Sequence, residues 1–330
     1  MHRAARIAET LQSRRSVLLL NHVAPDGDCL GSTLALAQAL RARGQRAVVG
    51  SADGLPTMYQ FLPGSEQVVA EIPAGETFDA VVFMECSSPE RAGGLVARAA
   101  GVPVWVNIDH HVSNSGYGDL VLLDTEAAAV AEVVLPIVKA LHPVLDADTA
   151  TCLLTALLTD TGGFHHASVT PRSFQIAAEL VAAGASPTAV YTQVYENRSV
   201  GSLRLLGMAL SRLTVAEAGR VVWTVVTQAM LKEAGASMDE SEGIVGAIRA
   251  IRGAQVAVLF KEEPEGIHVS LRAQGGVRAN VIAEAFGGGG HAAAAGFTIK
   301  EALTAAIDRT LDVVRRELAA SNPTAPGGAA

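Results

Sequence analysis

Histidine and aspartate side chains follow closely on the first apolar run of the chain. Residues Val17–Leu20 predict a buried strand, and His22, Asp26 and Asp28 come just after it. Residues 33–43 keep leucines and alanines at helical spacing, which predicts a helix. These side chains therefore lie on a turn between a parallel strand and a helix, where open α/β sheets bind ligands. A solvated polar turn is the alternative, but a turn that only connected two elements would not collect like charges.

Further candidate ligands follow the later elements of the same half of the chain. They are Glu85 after the strand predicted at 78–84, Asp109, His110 and His111 after the strand predicted at 103–108, and Asp160 after an apolar helix. Each position alone could be a solvated strand end or a helix cap. Taken together, they bring carboxylates and imidazoles to the carboxyl edge of one sheet.

Carboxylates gathered at one edge repel each other unless cations neutralise them. Ligation that is rich in carboxylate and includes imidazole suits Mn²⁺ or Mg²⁺, and the nitrogen donors favour Mn²⁺; another divalent ion such as zinc stays open. Two such ions about 3.5–4 Å apart would clamp the attacking and leaving oxygens of a phosphoryl transfer. The residue types therefore predict a metal-dependent reaction at phosphorus.

Strands alternate with helices in the first half of the chain, which predicts a doubly wound, mostly parallel sheet. A second and smaller α/β unit is predicted towards the carboxyl end. We expect a first domain at 1–186, a helical connector at 187–212, a second domain at 213–319 and a disordered tail at 320–330. The connector would allow the domains to close on a substrate held in a cleft between them.

The composition of the chain limits which binding partners and which cellular compartment are expected. The chain has 330 residues, is 49% hydrophobic and carries a net charge of −8, so it offers no general basic face for long duplex nucleic acid. Its cysteines (Cys29, Cys86 and Cys152) form no CxxC pair, which favours a reducing cytoplasm. Residues 1–15 do not resemble a signal peptide, and the apolar stretch 127–145 is broken by charges and prolines, so no membrane span is expected.

A glycine run marks the predicted second domain. Residues Gly287–Gly290 precede His291 and offer successive backbone N–H groups to a phosphate or a nucleotide edge. A flexible linker is the alternative interpretation. The run lies between a predicted helix and the apolar segment 292–297, which favours the binding loop.

These motifs, in this order, resemble the DHH phosphoesterase superfamily. The resemblance rests on His22-x-x-Pro25-Asp26-Gly27-Asp28-x-x-Gly31-Ser32, on Glu85, on Asp109-His110-His111 and on Asp160-Thr161-Gly162. The glycine run with His291 and Ala294-Ala295-Gly296 resembles the DHH-associated C-terminal domain. Size and domain pairing are most similar to oligoribonucleases of the NrnA type and 3′-phosphoadenosine-5′-phosphate (PAP) phosphatases.

The resemblance implies a role for each matching residue. His22 and Asp26 would hold one metal ion, Asp28, His110 and Asp160 the other, and Glu85 would bridge them, although the family usually has aspartate there. His111 would bind the phosphate or donate a proton, and Asp109 would orient the imidazoles. Substrate binding would fall to Arg272, Asn280, Gly288, Gly289, Gly290 and His291. His165 would either touch the substrate or be a plain loop histidine.

The resemblance further implies hydrolysis of short oligonucleotides (nanoRNA), of PAP, or of both, by water activated at two metal ions. The alternative within enzymes is a phosphodiesterase for cyclic di-AMP or a linear dinucleotide in signalling. Outside enzymes, the chain could be an inactive nucleotide-binding regulatory module, with Glu85 as the lesion. A homodimer is compatible with the resemblance.

Overall fold

The computed structural model describes residues 2–321 and divides the chain into two compact units, with the boundary between Asn197 and Arg198. That boundary falls inside the predicted connector, and most of the predicted tail, 322–330, lies outside the described residues. None of the helices in the described part of the chain is long and apolar enough to cross a lipid bilayer.

The first unit is built on a sheet of six parallel strands in the order β3-β2-β1-β4-β5-β6. Its strands are β1 (Ser16–Leu20), β2 (Arg46–Gly50), β3 (Val68–Val69), β4 (Ala80–Met84), β5 (Trp105–Asp109) and β6 (Leu120–Leu123). Its helices are α1 (His2–Gln12), α2 (Gly27–Ala42), α3 (Val130–Leu141), α4 (Ala147–Asp160), α5 (Pro171–Ala182) and α6 (Pro187–Tyr191).

The strand order reverses between β1 and β4. Strand β1 pairs with β2 on one side and with β4 on the other, so the chain winds outward in both directions from this point. In open α/β sheets, ligands bind beyond the carboxyl ends of the strands at such a point, here the ends of β1 and β4. The motif residues 22–28 and Glu85 follow these strand ends.

Helix α2 is buried along nearly its whole length and packs closely on α4. A Cβ on Gly31 would lie 2.3 Å from the carbonyl oxygen of Cys152, so only glycine permits this approach. The contact brings the amino end of α2, which carries Asp28, towards the carboxyl end of α4, which carries Asp160.

The residues Pro89-Glu90-Arg91 are typical of a helix start and predict a helix there, but this prediction is wrong in type. The segment Pro89–Ala99 consists of 3₁₀ turns that are interrupted at Gly93, whose φ is 61°. Because a left-handed residue breaks the α-helical hydrogen-bond ladder, no continuous helix can form there.

The second unit contains a mixed sheet of six strands in the order β11-β12-β10-β9-β8-β7. Within the described part of this second sheet, β8 and β9 pair in parallel, and the other neighbouring strands pair antiparallel. The elements are α7 (Val200–Ser211), β7 (Thr214–Ala216), β8 (Val221–Val226), α8 (Gln228–Ala234), α9 (Ile244–Arg249), β9 (Val256–Glu263), β10 (Gly266–Ala273), α10 (Ala279–Glu284), β11 (Gly289–Gly290), β12 (Ala294–Ile299) and α11 (Leu303–Ser321). Separate apolar clusters cover the two faces of the sheet. The sequence patterns did not predict β7, α8 or β11, which are too short to show periodicity.

Candidate metal centre

The loop after β1 fixes the first imidazole. His22 is 6% exposed, and its Nδ1 lies 2.8 Å from the carbonyl oxygen of Val23. Because a carbonyl only accepts, Nδ1 carries the proton and Nε2 is left with its lone pair. That Nε2 lies 3.9 Å from Oδ2 of Asp26. The other oxygen of Asp26 accepts from the Cys29 N–H at 3.0 Å and caps α2.

Ala24 stands in the left-handed region within this loop, with φ at 51°. Its N–H donates to Oδ2 of Asp53 at 2.6 Å, which holds the strained turn in place. Asp53 lies beyond β2 and belongs to none of the sequence motifs. It is a positioning residue that the sequence patterns missed, because nothing local relates it to residue 24.

Asp28 is fully buried, and the amino end of α3 satisfies it. Its carboxylate accepts from Val130 N at 2.5 Å, from Ala131 N at 3.1 Å and from Ser32 Oγ at 3.2 Å. The partial positive charge of a helix start favours a carboxylate in this position. Burial and the nearby charge of Asp160 nevertheless raise the pKa of Asp28 well above its ordinary value. An added cation would relieve this cost.

Glu85 follows β4 with φ at 54°, which is a strained conformation for a residue other than glycine. The side chain is 3% exposed, and Oε1 lies 3.2 Å from Nε2 of His110. Oε2 is buried and has no hydrogen-bond partner. Burial and the charge of Asp28 raise the pKa of Glu85 well above its usual range. An unpartnered buried carboxylate oxygen is the kind of atom that a metal ion satisfies.

His110 connects the acidic groups. Its Nδ1 lies 3.1 Å from the carbonyl oxygen of Ala127, and its Nε2 lies 3.5 Å from Oδ2 of Asp160 in addition to the Glu85 contact. Burial lowers the pKa of His110, but the bond and charge of Glu85 and the charges of Asp28 and Asp160 together raise it to about 11. Burial also raises the pKa of Asp160. Without a cation, an imidazolium balances these carboxylates; with one, His110 could ligate as a neutral ring.

The structure brings Asp28, Glu85, His110 and Asp160 together and places His22 beside Glu85, whereas Asp26 is near His22 but in none of the following ligand groups of the described residues. Ligand atoms of Asp28, His110 and Asp160 lie within 4.8 Å of one another, and those of Glu85, His110 and His111 do the same. Glu85 also groups with His22 and Cys29 at this spacing. The Cys29 thiol is fully buried, and burial raises its pKa well above the ordinary value, so we interpret it as a packing residue beside the centre.

Asp109 fixes the orientation of His111. Its Oδ1 accepts from Nδ1 of His111 at 2.7 Å and from the backbone N–H of His110 at 2.7 Å and His111 at 3.0 Å. Its Oδ2 accepts from Nδ2 of Asn114 at 2.6 Å. Burial raises the pKa of Asp109, but the hydrogen bonds and charge of His111 and the hydrogen bond from Asn114 together outweigh it, and the net shift is downward. Asn114 was not predicted; its place in the short loop after the His-His pair was the only signal.

The predicted substrate residues lie in the second unit. Arg272 on β10 pairs with Ala294 on β12, and the hairpin of β11 and β12 places the glycine run beside them. A Cβ on Gly288 would lie 2.3 Å from the carbonyl oxygen of Gly296, so this turn requires glycine. Nδ2 of Asn280 on α10 donates to Glu284 at 3.0 Å, while its Oδ1 is buried without a partner.

Arg272 of this set is partly buried, whereas His165 and His166 lie in the first unit. Burial lowers the pKa of Arg272, and its guanidinium donates to the carbonyl oxygen of Leu271 at 3.0 Å. Beside the metal centre, it is His166 that contacts the Asp160 motif, with Nδ1 at 2.8 Å from the Asp160 carbonyl oxygen. No such contact is present for the exposed side chain of His165 among the hydrogen bonds of the described residues.

Comparison with known proteins places this geometry in a family. Residues 16–157 match the DHH family, N-terminal domain, and residues 220–320 match the DHHA1 domain. Over 320 residues the chain is 38% identical to the bifunctional oligoribonuclease and PAP phosphatase NrnA of Thermus thermophilus, covering 94% of this chain and 93% of that protein. The chain belongs to the DHH family.

Other proteins are also similar to this DHH-family chain in sequence or in fold. It is 26% identical over 296 residues to the protein of the same name from Bacillus subtilis, covering 89% of this chain and 92% of the relative. An exopolyphosphatase-related protein from Bacteroides fragilis shares its fold, with a TM-score of 0.88 at 23% identity over 98% of this chain and 97% of that one. RecJ of Thermus thermophilus with Mn²⁺ superposes with a TM-score of 0.52 at 15% identity, covering 94% of this chain and 54% of RecJ.

These findings confirm the predicted family, the α/β fold and the class of enzyme, a hydrolase that acts on phosphoester bonds. As in other DHH phosphoesterases, the activity is metal-dependent, and the acidic and imidazole groups described above could bind metal.

Proposed function

We propose that this DHH-family phosphoesterase hydrolyses short oligonucleotides and PAP with the help of two divalent cations, Mn²⁺ being favoured. The observation that carries the proposal is the unpartnered Oε2 of Glu85 within a buried set of carboxylates and imidazoles. The names of the relatives from Thermus thermophilus and Bacillus subtilis supply the substrate classes.

The donor set fits the cations. His22 and Asp26 would hold one ion, and Asp28, His110 and Asp160 would hold the other, with Glu85 shared between them. When bound, two divalent ions lower the pKa of water and neutralise charge that develops on a phosphoryl group. Oxygen donors with a minority of imidazoles are typical of Mn²⁺ sites, and Mg²⁺ is the alternative.

The chain's own residues do the remaining work. Asp109 accepts a hydrogen bond from Nδ1 of His111, so a buried carboxylate fixes the orientation of the imidazole ring. In our proposal His111 binds the phosphate or donates a proton to the leaving oxygen. Arg272, Asn280, His291 and the backbone of Gly288–Gly290 bind the nucleotide, because backbone N–H groups and a guanidinium complement a phosphate.

The net charge of −8 favours short oligonucleotides over long duplex nucleic acid as substrates. Cytoplasmic location and a homodimer stay predictions. Fractionation of cells and sedimentation of the purified protein test them directly.

A product-resolved assay tests the function. Purified protein with Mn²⁺ is offered labelled di-, tri- and pentaribonucleotides, PAP, a linear dinucleotide and cyclic di-AMP, and products are separated by length. We expect mononucleotides from the short RNAs and adenosine monophosphate from PAP. Turnover of cyclic di-AMP above all others would replace this proposal with the signalling alternative. Absence of all turnover with Mn²⁺ or Mg²⁺ would leave the inactive regulatory module.

A further inference from the structure

We propose that the guanidinium of Arg91 binds phosphate oxygens of the substrate at the edge of the metal centre, an inference that rests on the proposed function. Arg91 lies in the 3₁₀ segment after β4, and its Nη2 is 3.5 Å from Nδ1 of His22. Its side chain is thereby placed on the side of the His22 ring that faces away from Nε2.

The position of Arg91 is fixed by backbone contacts. Its carbonyl oxygen accepts from Val23 N at 2.7 Å, and its own N–H donates to the Ser88 carbonyl oxygen at 3.1 Å. Gly93 has a φ of 61°, and a Cβ there would lie 2.7 Å from Cγ1 of Val23. The segment 88–93 and the loop 22–24 are therefore packed tightly together. Arg91 is held beside the ligand loop in a way that an ordinary surface arginine is not.

The charge of Arg91 is not matched by its protein neighbours. A guanidinium only donates, and Nδ1 of His22 already donates to Val23, so the 3.5 Å contact is not a satisfying hydrogen bond. Among residues 2–321, no ion pair includes Arg91. Arg91 is exposed, so its unused N–H donors are open to an anion that approaches the centre.

Phosphate is the anion that this chemistry selects. The planar fork of arginine matches two phosphate oxygens at once, which a lysine ammonium cannot do. Either the phosphate that is hydrolysed or a neighbouring phosphate of the same substrate could take the contact. Both supply the same oxygens, and the choice of substrate separates them.

The experiment compares Arg91→Met and Arg91→Lys with a matched control, Arg98→Met. Arg98 lies in the same 3₁₀ segment, and its guanidinium donates to the Pro73 carbonyl oxygen. Each variant is assayed with Mn²⁺ on PAP and on bis(p-nitrophenyl) phosphate, which carries a single phosphate. We expect Arg91→Met to lower kcat/KM about 10²-fold, as when one preorganised donor to a phosphoryl group is removed. We expect Arg91→Lys to restore only part of this loss and Arg98→Met to change little.

Loss on both substrates assigns Arg91 to the phosphate that is hydrolysed, and loss on PAP alone assigns it to the neighbouring phosphate. Added guanidinium ion should rescue Arg91→Met and leave Arg98→Met unchanged. The Mn²⁺-induced rise in Tm should be the same in all variants, because Arg91 is not a metal ligand.

A binding measurement keeps the proposal separate from the proposed function. Calorimetric titration of the Mn²⁺-loaded protein with inorganic phosphate requires no turnover. We expect about tenfold weaker binding in Arg91→Met than in the wild type. Equal phosphate binding in the two proteins, or loss of the Mn²⁺-induced rise in Tm in Arg91→Met, overturns the inference even if the wild type is an active phosphoesterase. An inactive wild type with intact phosphate binding overturns only the proposed function.

Discussion

The carboxyl ends of β1, β4 and β5 in the first unit differ sharply from the glycine hairpin of β11 and β12 in the second. Asp28 is fully buried and Glu85 is 3% exposed, and both are held by tertiary contacts. Gly289 and Gly290 are exposed and offer backbone groups. Buried charges are costly unless they are compensated, so the first region depends on the partners that tertiary contacts bring to it. The hairpin needs only the correct backbone shape.

The largest expected effect comes from Asp28→Asn, which is almost isosteric. One carboxylate oxygen becomes an NH₂ group that faces backbone N–H donors of Val130 or Ala131, and the proposed metal ligand is lost. Turnover should fall at least about 10³-fold, equivalent to roughly 4 kcal/mol in the activation barrier. The measurement is kcat/KM with Mn²⁺, with Asp148→Asn on the exposed first turn of α4 as the control. Activity within tenfold of the wild type would remove Asp28 from the centre.

A substitution in the hairpin should affect substrate binding and spare metal binding. In Gly288→Ala, the new Cβ meets the backbone of Gly296 and Phe297, which cannot move aside without shifting the hairpin. We expect KM to rise about tenfold, equivalent to roughly 1.4 kcal/mol, with the Mn²⁺ dependence of Tm unchanged. Gly207→Ala on α7 is the control, because a Cβ at that position would meet nothing within 4 Å. A change in Mn²⁺ dependence would show that the two regions do not act independently.

Glu85→Asp tests how much the longer side chain matters. Aspartate tolerates the left-handed backbone better than glutamate does, but its oxygen is drawn back by about 1.5 Å from His110. These effects oppose each other, so kcat should change by less than about tenfold, with a shift in the ratio of Mn²⁺ to Mg²⁺ activity. Glu85→Gln is the matched control and should lose far more activity. Equal activities of the two variants would mean that the Glu85 charge is not used.

The smallest effect concerns pH. The folded-state pKa values of Asp28, Glu85 and Asp160 are raised above their ordinary values of 3.8, 4.5 and 3.8. Their contribution to the stability of the metal-free protein is full below those values and is lost as pH rises through the raised pKa values. Mn²⁺ replaces the protons, so its stabilisation should grow with pH.

The expected difference is about 3–5 °C in the Mn²⁺-induced rise of Tm between pH 5.5 and pH 8. Thermal unfolding with and without a chelator measures it. The Asp148→Asn variant should behave like the wild type. A rise in Tm that is independent of pH would show that the carboxylates do not exchange protons for the metal.

The local sequence indicated the candidate ligand residues because each motif lies at or near a strand or helix end, and an apolar run with polar residues after it identifies such an end. Their role as metal ligands stays a prediction. The order of the motifs that contain Asp26, Glu85, His110 and Asp160 indicated the family, and the alternation of strands and helices indicated the α/β fold. Element type was less predictable where a single backbone angle decided it, as at Gly93 in the segment after Pro89.

The sequence by itself determined which residues carry charge, that strands alternate with helices in the first half of the chain, and that the acidic groups gather at the ends of these elements. Only the tertiary structure decided which distant groups contact the residues of the site. The amino end of α3 donates to Asp28, Ala24 donates to Asp53, Asn114 donates to Asp109, and Arg91 lies beside His22. The physical reason is that strand and helix signals depend on neighbouring residues. These contacts depend instead on the order of strands in the sheet and on the close approach of α2 to α4, which no local pattern encodes.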